Sequence, residues 1–170
     1  MTAFEFRGFS IRRITVADNQ QIAKIIRTVM PEFGADKAGF AIHDAEVDAM
    51  AENYQLPQSD YLVVEKDGKI FGGAGYGPLK GGPETVCELR KMYFLPEIRG
   101  LGIGKIVAEW CLREAKFAGF QQCYLETLKH MHRARALYLK MGFREVDKPL
   151  GATGHFGCDC WYLRDLTISV

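Results

Sequence analysis

Between Cys87 and Gly104 the chain reads CELRKMYFLPEIRGLGIG, and this stretch constrains the fold more than any other. A strand runs into Pro96, an arginine follows at 99, and Gly100, Gly102 and Gly104 then fall within five residues ahead of an amphipathic helix. Glycines at the mouth of a helix let the backbone approach a ligand closely, with several N–H groups unpaired and pointing outward. Those amides and the positive end of the helix dipole suit a phosphate or pyrophosphate. Arg99 and Lys105 add positive charge beside them. The physical reading is an anion-binding turn made of Arg99, Gly100, Leu101, Gly102, Ile103, Gly104 and Lys105; its alternative is a purely structural glycine turn.

Two well-known phosphate loops do not match. A P-loop needs G-x-x-x-x-G-K-[ST]. Aligning its Gly-Lys with Gly104-Lys105 puts Arg99 where the first glycine belongs and Ile106 where Ser or Thr must hold magnesium. The dinucleotide fingerprint G-x-G-x-x-G, started at Gly100, requires glycine where Lys105 stands. The preceding strand is also not the first of a strand-helix-strand unit, as that fingerprint demands.

Composition narrows the classes further. With 22 Lys and Arg against 21 Asp and Glu, the formal charge is +1, which argues against a dedicated nucleic-acid binder or a polybasic membrane anchor. No apolar run approaches the ~20 residues of a membrane span, and the first residues carry no apolar core with a cleavage site. The five cysteines therefore read as reduced thiols of a cytoplasmic protein. Cys158-x-Cys160 lacks the second ligand pair of a structural zinc site and reads as same-face packing in a strand, so no metal is expected. At 170 residues the chain reads as one domain over 1–170.

Hydrophobic spacing gives the element order. A strand over Phe9–Ile14 precedes a helix with Asp18 as N-cap, Ile22, Ile25, Ile26 and Val29 on one face, and a stop near Pro31. A loop to Phe40 leads to a second helix over Asp44–Tyr54. Strands over Tyr61–Glu65 and Lys69–Tyr76 flank the turn signal Asp67-Gly68, and Val86–Leu95 follows. The longest helix, about Gly102–Ala118, is closed by Gly119. Then come a strand over Cys123–Thr127, a helix over Arg133–Met141, and strands over Phe143–Val146 and Asp159–Leu166. The order predicts an α/β (α+β) domain in which helices pack on a mixed sheet, since hairpins and strand-helix-strand crossovers both occur.

Arg99-x-x-Gly102-x-Gly104, after a strand ending in proline and before a long helix, resembles the acetyl-CoA motif of the GNAT N-acetyltransferases. ARALYLKMGFRE, Ala134 to Glu145, is similar to that family's later A-x-x-L-Y-x-x-x-G-F segment. The resemblance spans nearly the whole chain and implies the GNAT fold: a central, mostly antiparallel mixed sheet of about seven strands with about four flanking helices. It implies acetyl-CoA as co-substrate, with its pyrophosphate on the amides of Arg99 to Lys105. Its pantetheine would pair with the exposed strand edge at Met92, Tyr93 and Phe94, as an added strand does. Seven residues before Tyr138, where many members have asparagine, this chain has Met131, which cannot supply an amide contact.

An amine attacking a thioester must be neutral, and the departing thiolate needs a proton donor. Tyr138 matches the family tyrosine that gives that proton; the plain alternative is a packing ring. Glu88 aligns with a glutamate that serves as base in some members; it could equally be a strand carboxylate paired with Arg90 or Lys91. His43 and His155 fall where the family builds its acceptor pocket, and both can titrate near neutrality. Tyr76 sits among Gly72, Gly73, Gly75 and Gly77, which either keep room for an acceptor or ease a bend. The expectation is an enzyme passing acetyl from acetyl-CoA directly to a primary amine of a small molecule, with no nucleic-acid or membrane partner; a homodimer is compatible with the sequence. Three alternatives stay open: a non-catalytic acyl-CoA-binding or sensing module, an acetyltransferase of protein N-termini or lysines, and a general anion-binding module.

Overall fold

Eight strands form one sheet in the order β1-β2-β3-β4-β5-β6-β8-β7. This computed structural model describes residues 3–168, so the outermost residues of the domain expected over 1–170 lie outside the described residues. The strands are β1 (Ala3–Phe6), β2 (Phe9–Arg13), β3 (Asp60–Lys66), β4 (Lys69–Pro78), β5 (Val86–Phe94), β6 (Gln122–Thr127), β7 (Arg144–Val146) and β8 (Cys160–Asp165). The sequence spacing indicates seven of them. The eighth, β1, pairs with β2 across Arg7-Gly8, both at positive φ (53° and 75°). Arginine is not among the residues that announce such a turn, so the hairpin carries no sequence signal.

Helix α1 (Asn19–Glu32) buries Ile22, Ile25, Ile26 and Val29 on one face of the sheet. It runs through Pro31, which in the last turn removes only the bond from its own nitrogen. On the other face α3 (Ile103–Phe117) buries Ile103, Val107, Trp110 and Cys111, and α4 (His132–Lys140) buries Tyr138. Each large side chain so buried contributes roughly 1.5–3 kcal/mol. These two apolar layers hold the sheet from both sides.

The helix expected over Asp44–Tyr54 is broken up. Residues 41–43 and 45–48 form tight 3-10 turns, and only α2 (Met50–Tyr54) is α-helical. The reason lies in Asp44 and Glu46, which both bind the Lys91 ammonium, at 2.5 and 2.8 Å. Residues two apart on an α-helix do not face the same way. An extended Asp44 (φ −64°, ψ 133°) lets both carboxylates converge.

Two irregularities in β5 open the sheet. Every neighbouring pair of strands is antiparallel except β5 and β6, which are parallel. Their pairing covers only Val86, Cys87 and Glu88 against Gln122, Cys123 and Tyr124. Beyond Glu88 the two strands part. On the β4 side, Gly75 pairs with Arg90 but Gly73 with Tyr93, so Lys91 and Met92 together face Ala74. This is a β-bulge, with Lys91 at φ 49°. Leu89 and Met92 consequently pack into the same α3-side core, while Lys91 turns to the opposite face beside Arg90. The sheet is thus split where the charged residues of β5 lie.

Candidate functional site

The parting of β5 and β6 forms a cavity lined on β5 by Glu88 to Tyr93 and on β6 by Leu125 to Thr127. Phe33, Ala35, Phe40 and Ala41 wall it from the loop after α1, and Met131, Tyr138, His155 and Cys158 close the far side. Segments 32–44 and 147–156 both supply lining residues. With β6 gone, the outer edge of β5 from Leu89 to Phe94 has no strand partner among the described residues. An extended ligand can add to such an edge.

The glycine turn opens α3, whose Gly104 packs against Met92 of the cavity wall. Gly102, the residue before α3, has φ 79°, a left-handed conformation that costs other residues roughly 1–2 kcal/mol. Ile106 is the first helical residue whose amide reaches a carbonyl four back, that of Gly102 (3.2 Å). The amides before it have no such acceptor and sit at the positive end of the helix dipole. Gly104 serves packing instead. A Cβ there would lie 3.2 Å from Met92 Cε and 3.3 Å from Phe94 Cε2, so glycine lets α3 lie close on β5.

The two cations expected beside the turn are already engaged. Arg99 donates through Nη1 to Glu32 (2.8 Å) and through Nε to the Phe94 carbonyl (2.8 Å), with its guanidinium over the Phe33 ring. It ties the turn to α1 and to the end of β5. Lys105 makes an exposed i,i+4 contact with Glu109 at 3.4 Å. What the turn presents is mainly backbone, with the buried Arg99 Nη2 the one guanidinium nitrogen there that lacks a partner among the described residues.

At the splay itself Tyr138 is 8% exposed, and among the described residues its hydroxyl meets only Met92 Sδ, at 4.0 Å. Burial pushes the phenol up to about 12, so it stays protonated and can donate. Met131 precedes α4 and accepts a weak bond from Thr127 Oγ1 (3.6 Å), occupying the expected asparagine position without an amide.

The same cavity is lined by a cluster of buried charge. The Glu88 side chain is 7% exposed and accepts no hydrogen bond among the described residues; its nearest cation is Arg90 Nε at 3.5 Å. Burial pushes Glu88 up to about 7, against the pull of Arg90. Glu126, two residues past the last β6 pair, is fully engaged: Tyr124 Oη (2.8 Å), Thr153 Oγ1 (2.9 Å) and His155 Nδ1 (3.2 Å) all bond it. His155 Nε2 reaches Asp44 at 3.1 Å. Burial opposes charge on this imidazole, but the bonds to Asp44 and Glu126 outweigh it and raise it to about 9. His155 is therefore a cation at neutral pH, strapping the 147–159 loop to the turn that follows α1.

Glu88, Glu126 and His155 place ligand atoms within 4.8 Å of one another, in reach of one cation. A protonated imidazole has no lone pair to give a metal. The set as it stands is an ion-pair network. Cys158 precedes β8 and faces the cavity, whereas Cys160 lies in the α3-side core, so the two do not share one strand face. Burial holds the Cys158 thiol at about 12, and it remains protonated.

Two residues proposed for acceptor contact lie elsewhere. Tyr76 packs in the α3-side core, its ring 6.4 Å from Phe120, because alternation in β4 sends Ala74 and Tyr76 to that face. The neighbouring Gly75 makes room for side chains, not for an acceptor: a Cβ there would lie 2.6 Å from the Tyr61 ring and 2.8 Å from Tyr54. His43 is exposed and bonds the Asp36 carbonyl at 2.9 Å, since the 3-10 turn sends Ala41 inward and His43 out. Sequence reasoning missed Glu126. Its signal was the alternation of QCYLET once Tyr124 is known to lie opposite Glu88.

Residues 22–143 match the model of the acetyltransferase (GNAT) family. The chain is 44% identical over 158 residues to the uncharacterized N-acetyltransferase YjgM of Escherichia coli (strain K12), covering 92% of this chain and 94% of that one. Its fold is similar to a GNAT-family acetyltransferase from Staphylococcus aureus Mu50, with a TM-score of 0.80 at 20% identity over 93% of this chain and 99% of that chain. It is also similar to yncA from Salmonella typhimurium, solved with its cofactor acetyl-CoA, with a TM-score of 0.74 at 20% identity over 95% and 96% of the two chains. Among the described residues no helix is long and apolar enough to cross a membrane.

Proposed function

The chain belongs to the GNAT N-acetyltransferase family, and from that premise we propose that it transfers acetyl from acetyl-CoA to a primary amine of a small molecule by direct attack. The observation that carries this reading is the cavity between β5 and β6, which both Tyr138 and Glu88 line. The amides from Gly100 to Lys105 suit the coenzyme pyrophosphate, while that of Arg99 is held by the Pro96 carbonyl (3.2 Å). The open β5 edge at Met92, Tyr93 and Phe94 suits the pantetheine amides.

Glu88 accepts a proton from the acceptor ammonium, which frees the nitrogen lone pair to form the new C–N bond. With a value near 7 it is ionised often enough to accept that proton and basic enough to hold it. As the thioester C–S bond breaks, Tyr138 gives its hydroxyl proton to the thiolate, whose thiol titrates near ~8.5. The nitrogen sheds its second proton to solvent as the C–N bond forms, the Tyr138 phenolate takes one back from solvent, and Glu88 releases its own, so that one proton is lost overall.

The bond from His155 to Asp44 draws together the two loops that border the cavity, which favours a small acceptor over a folded protein surface. The test is mass spectrometry of a metabolite extract incubated with the protein and isotope-labelled acetyl-CoA. Labelled N-acetyl products are expected, and Tyr138→Phe lowers kcat about 100-fold or more. Tight acetyl-CoA binding with no labelled product would instead favour the non-catalytic acyl-CoA binder.

A further inference from the structure

The acceptor end of the cavity holds an unequal set of charges. Four carboxylates (Asp44, Glu46, Glu88, Glu126) meet three cations (Arg90, Lys91, His155), leaving one negative charge uncompensated. Lys91 and His155 are fully committed, and Arg90 keeps one buried donor, its Nε, without a hydrogen-bond partner. The Lys91 side chain is 1% exposed, between Asp44 and Glu46. His155 uses both ring nitrogens on carboxylates. Arg90 donates through Nη2 to the Pro78 carbonyl, and its Nε is buried facing Glu88.

The carboxylates are equally unequal. Asp44, Glu46 and Glu126 are bonded to these cations or to hydroxyls, whereas Glu88 alone of the four has no hydrogen-bond partner among the described residues. It is more than nine-tenths buried and lines the cavity. Around it the remaining wall is apolar: Met30, Phe33, Phe40, Leu128 and Met131.

Resting on the acetyltransferase reading above, we infer that the acceptor is a monoamine with an uncharged, apolar body, an alkyl- or arylalkylamine, and not an amino acid or a polyamine. One ammonium group held at the unpartnered Glu88 balances the excess negative charge that the set carries when Glu88 is ionised. An amino-acid carboxylate would be taken out of water beside Glu88 and Glu126, where the one unpartnered donor, Arg90 Nε, already faces Glu88 at 3.5 Å, a burial that binding does not offset. A second ammonium of a polyamine would lie against phenylalanine and methionine side chains with no unengaged carboxylate to meet it. Selectivity here comes from what the pocket withholds as well as from what it offers.

The experiment measures acetyl-CoA binding by calorimetry, then kcat/KM from coenzyme A release with 2-phenylethylamine, phenylalanine and spermidine. The expected result is a preference for 2-phenylethylamine of at least about 100-fold over both. Equal or better use of phenylalanine or spermidine overturns the acceptor class and leaves the acetyltransferase reading standing. Bound acetyl-CoA with no transfer to any of the three overturns both, as does failure to bind it. In Phe40→Ala, KM for 2-phenylethylamine rises about tenfold more than KM for propylamine; equal changes for the two amines overturn the apolar-wall contact.

Discussion

The two parts of the candidate site are built by opposite means. The turn at Arg99–Lys105 is contiguous in sequence and presents backbone amides, with its nearby side chains tied elsewhere. The acceptor end is made of side chains from the 41–48 turns, β5, β6 and the 147–159 loop, held by one another's charge. A ligand common to many proteins can be met by a local backbone device. A ligand particular to one protein requires groups gathered from distant segments, whose geometry is adjusted one residue at a time.

The largest expected effect separates chemistry from stability at the acceptor end. Glu88→Gln lowers kcat by about 100- to 10,000-fold, because the amide cannot accept the ammonium proton. The same change stabilises the fold. Glu88 titrates near 7 when folded against an ordinary value of 4.5. The wild type therefore loses stability as pH rises from the unfolded value through the folded one, on the order of 2–3 kcal/mol by pH 8. Urea unfolding at pH 5 and pH 8 checks this: the variant gains on the wild type only at the higher pH. Equal stability at pH 8 would mean that burying this carboxylate costs nothing.

His155 titrates in the same direction and with the opposite consequence. Its folded value, near 9, lies above its ordinary 6.5. It contributes stability that is fully present below about 6.5 and disappears as pH rises through 9. The groups facing it are Asp44, Glu126 and Glu88, all carboxylates. His155→Gln thus unfolds more easily than wild type at pH 7, by on the order of 2 kcal/mol. That deficit closes by about pH 10. A pH-independent deficit would assign the residue a packing role in place of a charged strap.

How much of this was visible in the sequence follows the same division. The helix spacing of Ile103, Val107, Trp110 and Cys111, and the glycines ahead of them, encode α3 and its turn locally. Tyr138 is found by its own helix. The bulge at Lys91 could not be read, because its positive φ falls on a residue that carries no turn signal. Without it, plain alternation misassigns the faces of Lys91 and Met92. Asp44 and Glu46 looked helical until a lysine far along the chain claimed both. Glu126 waited on the β5–β6 register, which is a pairing between segments and not a property of either. Tyr76 and His43 failed for the matching reason: chain position placed them near the site, and strand parity and turn direction took them away.

The smallest expected effects sharpen the claim that the turn works through backbone. Gly102→Ala keeps every side chain near the turn but forces a Cβ into a left-handed conformation at φ 79°. Nothing lies within 4 Å of that Cβ, so the cost is conformational and not steric. At roughly 1–2 kcal/mol, the turn either absorbs it intact or relaxes and misaligns its amides. In the second case the affinity for acetyl-CoA, read by calorimetry, falls about tenfold with little change in unfolding midpoint. Arg99→Ala gives the contrasting pattern, because its guanidinium is bonded to Glu32 and to the Phe94 carbonyl. Its loss lowers stability by about 1 kcal/mol and changes acetyl-CoA affinity less than Gly102→Ala does. If Arg99→Ala proves the weaker binder of the two, the guanidinium leaves Glu32 for the pyrophosphate, and side-chain charge returns to the turn.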